Sequence, residues 1–160
     1  MFFQNKPTRR ILAAFTLSFS ALLTTSNIAQ ANKLLPLDTY KQMLNASINN
    51  GWVAFRNYNG KQHVYLTQLQ TLRCHIKEVR VSFNSTALDN RLALLPCNPD
   101  NPFAIPSTPD AHKFLYVTFA LGTVATTAVQ VTWSDDTKSE IAQFRPCNDV
   151  GDQTCAVKLD

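Results

Sequence analysis

Residues 51–66, GWVAFRNYNGKQHVYL, constrain the fold more than any other stretch. Asn59-Gly60 readily supplies the two successive positive φ angles that a two-residue type I′ turn requires. On either side the side chains alternate with period two. The stretch therefore predicts a β-hairpin of Trp52–Tyr58 and Lys61–Gln68, with its register set by the turn. Directly opposed residues share a face. Tyr58 then opposes Lys61, Arg56 opposes His63, Ala54 opposes Tyr65 and Trp52 opposes Thr67. One side carries Val53, Phe55, Val64 and Leu66 and faces a core. The other carries Trp52, Ala54, Arg56, Tyr58, Lys61, His63, Tyr65 and Thr67, rings interleaved with cations and no acid.

That second side defines the candidate contact residues Trp52, Arg56, Tyr58, Lys61, His63 and Tyr65. Rings stack on planar or sugar rings, and cations hold anions or carbonyl oxygens. Trp, Tyr and Arg also concentrate binding energy at protein interfaces. The competing reading is structural cover: a helix carrying Tyr40 and Leu44 lies over Trp52 and Tyr65 and uses up the surface. Exposure of Arg56, Tyr58 and His63 discriminates the two.

The helix is predicted over 37–50. Leu37, Tyr40, Leu44 and Ile48 form one stripe, Asp38 or Thr39 is placed to cap the start, with Thr39 and Gln42 as a capping box, and Gly51 stops it. Further strands are predicted at 76–83, 91–95, 114–119, 127–134 and 138–145. Four prolines at 99, 102, 106 and 109 mark 98–110 as a surface loop. Six or seven short strands with frequent turns predict a mainly β chain folded as a β-sandwich. The strand–turn–strand VQVTWSDDTKSEIAQF, residues 129–144, resembles the late hairpin of bacterial immunoglobulin-like domains, which implies an immunoglobulin-like architecture and no activity.

The first 31 residues are read as a cleaved secretory leader. Lys6, Arg9 and Arg10 precede an apolar run from Ile11 to Leu23, and Ala29-Gln30-Ala31 matches a small-x-small cleavage site. The run is too short for a bilayer, which takes about 20 residues. The expected mature chain, residues 32–160, is one periplasmic or secreted domain. The formal charge of +4 for the whole chain falls to about +1 without the leader's three cations. With no run of Lys or Arg left, nucleic acid is not an expected partner class. Cys74, Cys97, Cys147 and Cys155 are an even set in an exported chain, hence two disulfides. Of three possible pairings, Cys74–Cys97 and Cys147–Cys155 close local loops and are preferred.

Little points to catalysis or a cofactor. The chain has no GxSxG, no HExxH and no glycine-rich phosphate loop. His63, His75 and His112 are isolated in sequence. Asp135-Asp136 reads as turn chemistry. Asp149 and Asp152, inside the Cys147–Cys155 loop, are too few carboxylates for a calcium site. These residues point to a non-catalytic binding module, with no cofactor or metal and with a protein or an anionic or glycan ligand as its partner. The alternative is a small inhibitor of an extracellular hydrolase acting through the proline-rich loop 98–110, whose stiffness lowers the entropy lost on docking.

Overall fold

Asn59 and Gly60 take φ angles of 50° and 68°, and the chain reverses there with the register their turn type dictates. The computed structural model describes residues 34–49, 51–148 and 152–160. The expected leader lies outside them, as does Asp149. In the described part, helix α1 (Leu37–Ala46) is followed by the hairpin β1 (Ala54–Tyr58) and β2 (Lys61–Tyr65). A helical turn α2 (Thr67–Thr71) and a 3₁₀ turn (Arg73–His75) lead into β3 (Ile76–Phe83). Then come β4 (Asn90–Arg91), the short α3 (Pro109–His112), β5 (Tyr116–Ala120), β6 (Thr127–Trp133), β7 (Ala142–Arg145) and β8 (Val157–Leu159).

The chain is mainly β, with two antiparallel sheets: a small one ordered β1-β2-β5 and a large one ordered β4-β3-β6-β7-β8. Period-two alternation sorts the strands. Phe55 and Val64 of the small sheet meet Val79, Val81, Val129, Val131, Ala142 and Phe144 of the large one in a single core. Phe83 and Phe119 pack ring to ring, their centroids 4.7 Å apart. Each fully buried valine or phenylalanine here contributes about 1.5–3 kcal/mol. None of the described helices is long and apolar enough to cross a membrane.

Helix α1 lies on this core through its predicted stripe. Tyr40 and Leu44 are fully buried, and Leu37 and Ile48 pack beside them. The predicted capping is not made: Pro36 occupies the N-cap position without a side-chain bond, and the helix gives way to a turn after Ala46. Gly51 follows that turn, where a Cβ would sit 2.8 Å from that of Ser47.

Several bounds differ from the sequence reading. β1 begins at Ala54, two residues later than expected, and β2 ends at Tyr65 because Leu66, Leu69 and Leu72 turn inward as a helical face, all fully buried. β4 is only two residues long, and β8 is an additional strand. β7 starts late: between the Thr132–Lys138 bridge and the Val129–Ala142 pair the register slips by one residue. The Ser139 hydroxyl fills the gap by accepting the Val131 N–H at 3.0 Å.

Both disulfides take the local pairing, Cys74–Cys97 and Cys147–Cys155. The first helps hold the long excursion between β4 and β5, and two buried polar side chains do the rest. Gln70 donates to the carbonyls of Ala93 and Phe114 and accepts from the Leu95 N–H. Arg73, 4% exposed, donates to the carbonyls of Pro96, Pro102 and Ala104 and to that of Gln70 in its own turn. Burial lowers the guanidinium pKa, and the charge is met by carbonyl dipoles. The proline-rich segment is a loop, as expected, as far as Thr108, where Pro109 opens α3; its first half is tied down, with Phe103 stacked 5.3 Å from Tyr40.

Candidate functional site

The hairpin register places Arg56 opposite His63, Tyr58 opposite Lys61 and Ala54 opposite Tyr65, so Arg56, Tyr58, Lys61, His63 and Tyr65 share the outward face of the small sheet. Tyr58 and Lys61 are exposed; Arg56, His63 and Tyr65 are half-buried. The cover reading applies to one member alone. Trp52 lies ahead of the strand, 1% exposed, with its Nε1 donating to the Leu44 carbonyl at 2.8 Å. The indole adds a donor to a helix-end carbonyl that also takes the Ser47 N–H and hydroxyl, and its ring fills the space beside Phe144, 6.3 Å away. Trp52 is a core residue and not part of the face. Thr67, at the other end, belongs to α2.

The structure adds residues to the face that the hairpin alone does not supply. β5 pairs with the far side of β2, setting Tyr116 beside Tyr65 and Thr118 beside His63. Three rings form a contiguous group: His63 meets Tyr116 edge-on at 5.0 Å, Tyr65 lies 5.1 Å from Tyr116, and His63 and Tyr65 are 6.2 Å apart. A His63 Nδ1 contact to the Thr118 hydroxyl at 3.1 Å fixes the imidazole's orientation. The alternation of Tyr116 and Thr118 was visible in the sequence; their adjacency to β2, across some fifty residues of chain, was not.

The two cations of the hairpin differ. Arg56 lies over the Tyr58 ring at 4.7 Å. Its Nε donates to the Asp152 carbonyl at 2.7 Å, and its other end faces the Asp152 carboxylate at 3.9 Å. It borders an open recess of about 360 Å³ with Asp152, Gln153 and Thr154. Arg56 therefore ties the C-terminal disulfide loop to β1, beside the Phe55–Cys155 bridge. Lys61 is exposed and makes no ion pair among the described residues. For an incoming anion, Lys61 is the available charge and Tyr58, 48% exposed, the available ring.

Elsewhere the paired acids and His75 are engaged. Asp135 accepts from Lys41 at 2.7 Å and from the Thr137 N–H and hydroxyl. The Lys41 bond, with those from Thr137, lowers its pKa to about 2. Asp136 pairs with Lys77 and takes a positive φ of 66°. The paired acids hold a turn together. His75 Nδ1 lies 3.5 Å from the Ser134 hydroxyl, but Nε2 faces the Leu35 carbonyl, where a catalytic triad places a carboxylate. Comparison of the chain with family models, with curated proteins and with solved structures finds no match to any of them.

Proposed function

We propose that the chain is an exported, periplasmic or secreted, non-catalytic binding module. Its contact surface is the outward face of the small sheet, with Tyr58 and Lys61 at the turn, His63, Tyr65 and Tyr116 at the centre and Arg56 at the margin. The observation that carries this reading is the coincidence of an exposed ring and a cation without an ion pair among the described residues, beside a contiguous three-ring group. Rings exposed in this way stack on flat or sugar-like surfaces, and a lysine beside them holds a carboxylate. The ligand class that fits both is an acidic glycan. The disulfides support an oxidising compartment, and the antiparallel β6–β7 pair supports an immunoglobulin-like kinship of architecture.

The test is retention on an immobilised panel of uronic-acid and neutral oligosaccharides. Wild type is expected to retain an acidic member, and Tyr58→Ala with Lys61→Ala to lose it about tenfold or more with its Tm intact. Equal retention by the double variant, or preference for the neutral members, overturns the proposal.

A specific observation also favours the inhibitor reading: Arg73 and Cys74–Cys97 hold the first half of the 98–110 loop rigid. A preorganised loop loses less entropy on docking. Screening the protein against lysozymes and proteases tests this directly, with residual enzyme activity as the readout.

A further inference from the structure

Of the four outermost strands of the two sheets, three are closed or guarded, in different ways. The outer edge of β1 is taken by Cys155, whose N–H and carbonyl exchange bonds with Phe55 at 3.0 Å each. β4 carries Arg91 and β8 carries Lys158 on strands of two and three residues. Short, charged edges resist pairing with other chains. Among the described residues β5 has neither protection. From Phe114 to Leu121, FLYVTFAL, there is no charged residue.

The backbone of β5 is half used. Leu115 accepts from Leu66 at 2.8 Å, and alternation along the ladder directs Val117 and Phe119 to β2 as well. The N–H and carbonyl groups of Tyr116 and Thr118 and the N–H of Ala120 therefore point away from the sheet. Among the described residues, the outer edge is closed only at the Ala120 carbonyl, which accepts from Thr123. The core beneath is unfinished too. Val64 on β2 is fully buried, whereas Val117 and Phe119 are half-buried, and Leu121 is 56% exposed just past the strand.

We propose that this edge is a self-association surface on which a second copy of the chain pairs antiparallel, about a two-fold axis through Thr118. An isologous pair sets each strand against its own reverse, so charge on an edge strand faces like charge. At β8 the central Lys158 would face its own copy. β5 is uncharged and its reverse fits it. Tyr116 opposes Ala120 of the second copy, Val117 opposes Phe119, and Thr118 opposes itself. Continuing the register brings Leu121 toward Leu115. The Thr118 amides exchange hydrogen bonds, and each Ala120 N–H meets a Tyr116 carbonyl. The added strand covers Val117 and Phe119. Strands so paired keep their faces on the same side, so the two small sheets merge into one, presenting both ring groups in one direction. The inference does not depend on the proposed ligand. A strand this short makes a weak, concentration-dependent dimer.

Sedimentation velocity of the oxidised protein from about 10 µM to about 1 mM tests this, a range that brackets weak association. A monomer–dimer equilibrium is expected. Thr118→Lys, at an exposed site, sets two cations opposite each other and is expected to weaken it about tenfold or more at unchanged Tm. Mixing Thr118→Lys with Thr118→Glu is expected to restore a heterodimer. A dimer indifferent to Thr118→Lys overturns the proposal, as does a monomer throughout the range. In a monomer, slow amide exchange at Thr118 would assign the edge to another segment of this chain, and fast exchange would leave it to a different protein.

Discussion

The hairpin 54–65 and the excursion 92–115 both depart from the core and return to it, and they are held by opposite means. The hairpin is specified within itself. Two residues with positive φ set the register, and alternation divides core side chains from outward ones. The excursion has little regular structure, and its own sequence does not hold it in place. Its carbonyls are gathered by Arg73 and Gln70, which lie on the segment before β3, with one disulfide beside them. The hairpin's outward side chains are consequently spare: few of them are needed to hold the fold. The excursion's buried anchors are not spare at all. A contact surface is expected where side chains are not already committed, which is the argument for the small sheet's outward face.

If the excursion depends on Arg73, Arg73→Met has the largest effect. It leaves several inward carbonyls short of a donor, and the expected loss is about 3–5 kcal/mol. Chemical denaturation measures it, and limited proteolysis is expected to cut first within 98–110. Stability close to wild type would mean that the loop is held by its own prolines. Gln70→Leu removes the second anchor with less charge at stake, and about 2 kcal/mol is expected by the same measurement.

In the hairpin the corresponding change is Gly60→Ala. A Cβ at Gly60 meets nothing within 4 Å, so only the backbone cost of φ near +68° is felt, about 1 kcal/mol. A loss as large as that of Arg73→Met would erase the contrast between the two regions. Tyr58→Ala with Lys61→Ala is expected to change stability by no more than about 0.5 kcal/mol, because both side chains are exposed.

The smallest effect concerns pH. Asp135 is ionised in the fold down to about pH 2, held there first by Lys41 and then by Thr137. A carboxylate whose pKa is lower folded than unfolded adds stability that is fully present above its ordinary value near 4. That increment is lost as pH falls toward 2. Asp135→Asn is therefore expected to flatten the stability curve slightly between pH 4 and pH 2, read by thermal melts, and to leave it unchanged in shape near pH 7.

Legibility in the sequence follows the same division. The turn, the register, the core side of the hairpin, the helix stripe and the cysteine pairing rest on rules that act over a few residues or on short loops. Trp52 did not, because whether it joins a strand depends on how the end of the preceding helix packs against it. Tyr116 reaches the face only through pairing of β5 with β2, a contact that no local pattern encodes. α2 did have a signal: Leu66, Leu69 and Leu72 recur every three residues and override the strand pattern that precedes them. β8 had almost none, being three residues long and dependent on β7 for its register. Arg73 reads as an ordinary basic residue in sequence; only the carbonyls converging on it reveal its task.

On the proposed function, the molecule meets its ligand through the outward face of the small sheet and not through the anchored excursion. A backbone-amide NMR titration of the oxidised protein with an acidic uronic-acid oligosaccharide tests this most directly. Shifts confined to residues 56–65 and 116–118, centred on Tyr58 and Lys61, are the predicted result. Shifts centred on residues 98–110 or on the outward face of the large sheet would contradict it.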